Sequence, residues 1–378
     1  MKKIINFFKQ KNVIVWVINF TLSIVLLFVG YKVTRNKFIN LNGEGSAKEA
    51  TVIEVLDKSE ESYEVDGEKQ ITYNITFKAK LKDGKEITAT QTIDNFSSTS
   101  KEVQKNDKIF VYEVNDEYNF GDYARINKII ILAIIFFTLI IVLGGIKGVN
   151  TLISLLFTCL AVFMFFVPSI LKGMNIYLTA IITCIYVIIM TLVFINGISK
   201  KTLTTILGCS FGVILAGLIF IIMDQFLFLT GVTCEEELYL QMLDVKIDLR
   251  GIIFAAITIS SMGAVMDVSM DISSSLFEIK KHKPDITFKE IFKSGLNIGR
   301  DIMGTMANTL VLAFIGKSLS TTLLILTYST SLGEVFNKEL VIVELLEGLI
   351  GSTSILLTAP ITSLVCSYVY TKKKANLK

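Results

Sequence analysis

The sequence predicts a polytopic α-helical membrane protein of about eight transmembrane helices that carries a small extracytoplasmic all-β domain. Three observations lead there. Of 378 residues, 52% are hydrophobic and the mean hydropathy is +0.60. Apolar runs of about 18 residues or more recur, the length needed to cross a bilayer core, with lysines gathered at their ends, the pattern that orients membrane helices. One stretch, residues 40–126, breaks this pattern and alternates in the manner of strands.

The net charge of +3 is small for the length. It argues for orientation in a lipid bilayer and against a nucleic-acid partner. Of five cysteines, Cys159, Cys184, Cys209 and Cys366 lie in or beside apolar runs and Cys234 lies in a polar loop. No metal-ligand spacing or paired-cysteine framework is present, so no metal site and no cofactor are expected.

Residues 1–12 carry Lys2, Lys3, Lys9 and Lys11 and read as a cytoplasmic N-terminus. Residues 13–31 follow as a transmembrane anchor. No small-x-small cleavage site precedes the polar YKVTRNKF stretch, so an uncleaved anchor is expected. Within residues 40–126, TVIEVLD, ITYNITFKAKL, EITATQTID and KIFVYEV alternate or are β-branched-rich. Asp83-Gly84 between two of them is a hairpin signal. Four or five short strands imply a small sandwich or barrel, placed outside the cell by the single preceding span. The domain reads as a solvated structural module or as a binder of a ligand or partner.

Residues 129–371 make the helical bundle. Ile129–Ile146 and Val149–Leu171 are separated only by GIKGV and predict a tight hairpin, with Pro168 at the outer end of the second run. Ile176–Ile198 and Thr202–Leu229 follow. The latter holds Gly208, Gly212 and Ala216 at four-residue spacing, which lets a neighbouring helix approach closely. The 230–250 loop, with Glu235, Glu236, Glu237, Asp244 and Asp248, suits an outer face as a solvated charge run. The sixth span runs from Gly251 to about Phe277. After it Lys280, Lys281, Lys283, Lys289 and Lys293 mark an inner loop, with the lone His282 as a surface residue. Thr287 with Glu290 forms a capping-box pattern for a short amphipathic helix.

The seventh span runs from about Gly295 to Gly316, with close-approach positions at Gly295, Gly299 and Gly304. Leu319–Leu332 is short for a span and is expected to be re-entrant, interfacial or a continuation of the seventh helix. ELVIVELLEGLI, with Glu339, Glu344 and Glu347, is amphipathic, and GSTSILLTAPITSLVCSYVY is the last span. Residues 372–378 form a basic tail. Eight spans put that tail inside and nine put it outside, against the charge rule.

The chemistry concentrates on the sixth and seventh spans. Asp267 and Asp271 project about 40° apart on a helix and Glu278 falls about 20° from Asp267, so the three share a face. Asn297, Asp301, Thr305 and Asn308 form a stripe on the seventh span. Counted from the inner boundary at about 1.5 Å per residue, Asp271 and Asp301 lie about 10 Å deep and Asp267 deeper. The two stripes are expected to face each other, with Arg300 as counter-ion. A charge at mid-membrane costs roughly 2.5–3.5 kcal/mol, so these residues read as a proton or cation pathway or as a satisfied Arg–Asp pair that fixes packing.

Through SSMGAVMDVSMDISSSLFEI, GLNIGRDIMGTMANTLVLAFIG and GSTSILLTAPIT, the chain resembles the YibE/F family of bacterial multi-pass membrane proteins. The resemblance covers nearly the whole chain and implies a multi-pass protein of the bacterial cell membrane, without assigning a residue role. GAVMDVSMDI, the basic loop and GRDIMGTMANTL also look like the paired spans of the SecD/SecF export components. On that likeness Asp267 matches a membrane aspartate and Asn308-Thr309-Leu310 a later motif, while Met306 stands where that motif has its aspartate.

Three functions compete. The first is a transporter or transport/export component coupled to a proton or cation through Asp267, Asp271, Arg300, Asp301 and Asn308. The second is a non-transporting partner or sensor that acts through the outer domain, with a membrane-protein partner or a homo-oligomer in either case. The third, an intramembrane aspartyl protease on Asp267 and Asp301, lacks a GxGD motif. HExxH is absent too, and with a single histidine neither Ser–His nor zinc chemistry is expected inside the membrane, so no enzyme is expected.

Overall fold

The computed structural model describes residues 11–34, 47–65, 68–94, 101–114, 117–233, 237–238, 240, 246–328 and 331–372. The expectations for Lys2, Lys3 and Lys9, for Cys234, Glu235, Glu236 and Asp244, and for the tail beyond Lys372 lie outside the described residues. The chain forms two compact units, Lys37–Val142 and Met1–Asn36 with Leu143–Lys378.

The first unit contains five strands, β1 (Lys48–Val65), β2 (Glu68–Leu81), β3 (Glu86–Ile93), β4 (Lys108–Val114) and β5 (Glu117–Tyr123). They close into a barrel in the order β1-β2-β3-β5-β4. All pairings are antiparallel except β3 with β5, where Ala89 faces Tyr118. This is the strand order of an OB-fold. Alternation builds the core: along β3, Ile87, Ala89, Gln91 and Ile93 point inward, to meet Val52, Ile75, Phe77, Ile109 and Val111. The β2–β3 turn uses Gly84 at φ 92, and the Lys85 N–H donates to Asp83 Oδ1 at 3.0 Å. Gln91 is fully buried and satisfied. Its Nε2 donates to Lys101 O at 3.0 Å and its Oε1 accepts from the Val103 N–H at 2.9 Å.

Irregularities between Val52 and Glu54 and between Val55 and Asp57 bend β1. β1 meets β4 only over Lys48–Thr51, whereas its pairing with β2 continues to Val65. Among the described residues the far part of β1 is therefore an edge. Helix α1 (Lys11–Thr34) precedes the barrel and α2 (Ile126–Ala161) follows it.

In the second unit a π-turn at Val162–Phe166 and the short α3 (Val167–Leu171) continue α2. Then come α4 (Ile176–Asn196), α5 (Lys200–Leu227), α6 (Leu249–His282), α7 (Phe288–Tyr328), α8 (Leu332–Asn337) and α9 (Glu339–Thr371). Side-chain caps start α4, α5, α6 and α8: Asn175 accepts from the Leu178 N–H, Ser199 from Thr202, Asp248 from Gly251 and Ser331 from Glu334. Among the described residues six helices are long and apolar enough to cross a membrane: Ile126–Leu171, Ile176–Asn196, Lys200–Leu227, Leu249–His282, Phe288–Tyr328 and Glu339–Thr371. Trp16–Lys32 is a shorter apolar helix.

The difference from about eight lies partly at GIKGV, where Gly145 (φ 55, ψ −135) leaves helical backbone and Ile126–Ala161 is two helices meeting across a kink. Both expected runs therefore lie within the one 46-residue stretch Ile126–Leu171. The amphipathic segment expected before the seventh span is likewise not separate, because FKEIFK forms the first turns of α7. Its capping box is formed: Thr287 N–H donates to Glu290 Oε2 at 2.8 Å, and the Glu290 N–H to Thr287 Oγ1 at 3.3 Å. At its other end α7 continues through Leu319 to Tyr328, so of the three alternatives for Leu319–Leu332 the helix takes continuation as far as Tyr328.

α9 is the axis of the bundle and packs on α5, α6 and α7. Its Thr358 and Thr362 fill the notches at Gly212 and Gly208 of α5. A Cβ at those glycines would stand 2.2 and 2.3 Å from the two hydroxyl oxygens. On the α7 side, Gly295 and Gly299 admit Ser363 and Ala359, at 2.5 and 2.9 Å by the same construction. Gly304 differs: a Cβ there meets nothing within 4 Å, so it makes no close approach within the chain. The buried hydroxyls cost little. Thr358, Ser363 and Ser367 each donate to the carbonyl one turn back, at 2.6, 2.7 and 2.6 Å. α1 docks through Trp16 Nε1, which donates to Asn150 Oδ1 at 3.1 Å, while Asn150 Nδ2 donates to Phe194 O at 3.1 Å.

Candidate functional site

Asp267 and Asp271 sit on the exposed side of α6, on a face shared with Ala256, Ser260 and Gly263. That face is poor in large side chains, while the opposite one buries Val265, Val268, Ile272 and Leu276. On α7, Arg300, Asp301 and Asn308 are exposed, together with Asn297, Gly304 and Thr305. Both expected stripes therefore exist as surfaces of the bundle.

They do not face each other. α6 and α7 meet where Leu276 and Ile272 reach Gly295 and Gly299. Ile272 and Leu276 lie about 100–180° around the helix from Asp267 and Asp271, by the 100° step per residue. Among the described residues Arg300 makes no ion pair with Asp267, Asp271 or Asp301. The apolar and glycine positions decided the contact, because close packing of those faces buries area that a charged stripe cannot. Glu278 is exposed and pairs along its own helix with Lys281 at 3.5 Å.

A second charged group lies between α7 and α9. Lys317 Nζ is 3.1 Å from Glu347 Oε2 and 3.6 Å from Glu344 Oε1. Glu347 is 7% exposed. The antiparallel course of α7 and α9 brings these residues together: Leu310 packs on Gly351, Phe314 on Gly348, and Lys317 follows a turn later. The sequence holds one signal for the group, the three-residue spacing of Glu344 and Glu347, which puts both on one face. It holds none for the partner, because the register of α7 on α9 follows from the packing of Leu310 on Gly351 and Phe314 on Gly348, which no local pattern announces.

Farther along, Glu339 binds the turn after α5. Its Oε1 accepts from the Thr230 N–H at 2.8 Å and the Gly231 N–H at 2.6 Å, and its Oε2 from Thr230 Oγ1 at 2.7 Å. Arg250 lies 3.8 Å from Asp224 and 3.8 Å from Asp248. Glu237 accepts from Thr233. These described acids of the 230–250 loop therefore hold the loop itself together. No group of three or more His, Cys, Asp or Glu able to hold a metal occurs among the described residues. Cys184, Cys209 and Cys366 are buried and Cys159 is exposed, all as free thiols.

A family model described as YibE/F-like protein matches residues 132–372. No curated protein and no solved structure matches the chain. The likeness to SecD/SecF components has no support in these comparisons.

Proposed function

The chain belongs to the YibE/F-like family, and from that premise we propose that it is an integral membrane protein that transports, or drives transport, by moving a proton or cation along α6 and α7. The observation behind this reading is the set Asp267, Asp271, Arg300 and Asp301, which sits within two membrane-length helices, exposed and without an ion pair to one another among the described residues. Charges at such depth are expensive unless they contact water, a partner or a translocated ion. Asp267 is assigned the carrying role and Asp271, on the same face of α6, relays toward the basic inner end, while Arg300 and Asp301 form a separate charged patch on α7. Asn308 lies one further stretch along the α7 stripe. No enzymatic step is assigned. The lysines after α6 support an orientation with that end in the cytoplasm of a bacterial cell, the N-terminus inside and the barrel outside.

The test is proton and sodium flux in proteoliposomes for the native chain and Asp267→Asn, each checked by gel filtration. Flux lost in a folded variant supports the reading. Flux absent from both under an imposed gradient overturns it.

A second reading is supported by the barrel. Beyond Thr51 the edge of β1 away from β2 has no strand beside it among the described residues, and an open edge is a template for an added strand. A membrane partner engaged there would make the protein a sensor or scaffold. Binding that survives Asp267→Asn and disappears when β1 residues 54–62 are replaced by a proline-containing segment would favour it.

A further inference from the structure

Gly263, Asp267 and Asp271 follow one another at four-residue steps along the exposed side of α6, and Arg300, Gly304 and Asn308 do the same on α7. Each step drifts by only about 40°, so each set stays on one broad face. A Cβ at Gly263 or Gly304 would meet nothing within 4 Å in the chain. The two stripes also lie at matching levels. Ile272 Cδ1 stands 3.6 Å from a Cβ built on Gly299. Asp271 directly precedes the one and Arg300 directly follows the other, so acid and base share a level. The two helices run in opposite directions from their loop. One turn farther from it Asp267 is level with Gly304, and one turn beyond that Gly263 is level with Asn308. Each position of one stripe therefore has an opposite of complementary charge or bulk on the other, yet the contact through Ile272 and Leu276 turns the stripes away from each other within the chain.

Charged side chains on a membrane helix are unfavourable against hydrocarbon, and small residues on such a helix let a second backbone come close. We infer that the α6 stripe of one copy of this chain packs on the α7 stripe of a second copy. Asp271 of one then meets Arg300 of the other, Asp267 fills the space beside Gly304, and Asn308 fills the space beside Gly263. Copies related about an axis normal to the bilayer keep the same depth, so levels that match within the chain also match between chains. The contact joins two different faces. It is therefore head-to-tail, the kind that closes into a ring when the rotation between copies permits. Asp301, 100° round the helix from Arg300, flanks the contact. Asp267 lies opposite a glycine and gains no counter-ion. This inference rests on α6 and α7 spanning a membrane and not on ion movement through Asp267.

The test is energy transfer between donor- and acceptor-labelled full chains in phosphatidylglycerol–phosphatidylethanolamine vesicles, followed as lipid is added. The native chain is expected to show saturable transfer above that of randomly diluted labels. Asp271→Arg alone and Arg300→Asp alone each put like charges in contact and weaken association at least about tenfold. The two variants mixed together associate as the native chain does, because the exchanged charges oppose each other again. A pair formed inside one chain cannot give that rescue. Gly263→Leu, placed where the chain has open space, leaves the melting temperature in dilute detergent unchanged or raised and weakens association to a similar extent. Absence of transfer in the native chain overturns the inference, and so does a mixture of folded charge variants that regains nothing. Undiminished association of a folded Gly263→Leu protein overturns it even where the charge variants fail to fold. None of these readings depends on flux, so loss of the transport reading leaves this one standing and the reverse.

Discussion

Gly212 of α5 and Thr358 of α9 are in mutual contact so close that a Cβ on the glycine would stand 2.2 Å from the threonine hydroxyl oxygen. The pair sets how near α5 approaches the axial helix, and with Gly208 on Thr362 it extends the seam by one turn.

Gly212→Ala is therefore expected to destabilise the bundle. Overpacking of a filled core costs about 1–3 kcal/mol, more than the gain of up to about 1 kcal/mol that alanine brings to a helix interior. Thr358→Ala in the same chain should restore part of the loss, because Val265 Cγ1 still stands 2.7 Å from the added Cβ. Gly304→Ala, with open space around it, should leave the melting temperature in detergent unchanged or raise it. A Gly212→Ala protein as stable as the native chain would refute the tight seam.

Lys317→Met removes the counter-ion of a carboxylate that is 7% exposed. Loss of one partner of a buried pair costs about 3–5 kcal/mol. Lys317 is 59% exposed at its side chain, so the cost should be nearer about 2 kcal/mol. Adding Glu347→Gln should recover much of it. Thermal unfolding of the two single variants and the double variant gives the coupling, and additive losses would mean the pair carries no net interaction.

In the barrel, Gln91→Leu keeps the volume and strips two hydrogen bonds. The Val103 N–H loses its partner, at about 1–3 kcal/mol for a buried unsatisfied group, while Lys101 O keeps the Tyr123 hydroxyl at 2.8 Å. Amide exchange should rise across residues 101–105 before it rises in β2. Unchanged protection there would show that Gln91 is dispensable.

Lys48 and Glu113 clasp β1 to β4, and the Tyr118 hydroxyl also donates to Glu113, at 2.8 Å. The Lys48 ammonium first, then the Tyr118 hydroxyl, holds the Glu113 carboxyl below its ordinary range, and the Glu113 hydrogen bond raises Lys48. A lowered carboxyl stabilises the fold above the unfolded glutamate value and stops doing so as pH falls through the folded value. The raised ammonium contributes below the unfolded lysine value and is lost as pH rises through the folded one. Limited proteolysis of the full chain should thus show a barrel most resistant between those limits. Glu113→Gln should flatten the acid side of the profile, and an identical acid limb in both proteins would count against the clasp.

Much of this was legible in the sequence. Hydropathy marks α4, α5 and α6 to within a few residues because lipid demands long uncharged runs. Alternation in EITATQTID marks β3 because a barrel wall has one wet face. Asp83-Gly84 marks its turn because glycine accepts φ 92 without strain. What was not legible depends on register. That β3 lies beside β5 and closes a barrel follows from shape in three dimensions, not from any local pattern. The stripe of Asp267 and Asp271 could be placed on one face, but not opposite Arg300, because Ile272 and Leu276 compete for the same neighbour. Lys317 drew no notice for the reverse reason: its partners lie about 30 residues away on a helix whose offset follows from the packing of Leu310 on Gly351 and Phe314 on Gly348.

At about 1.5 Å per residue the 41 residues of α7 reach about 60 Å, twice a hydrocarbon core of about 30 Å. Glycine notches hold it against α9 at one end and an ion pair braces it at the other. A sharp kink anywhere along it would break its own ladder of hydrogen bonds, so the capped end at Thr287 and the ion pair at Lys317 are joined by one continuous helix.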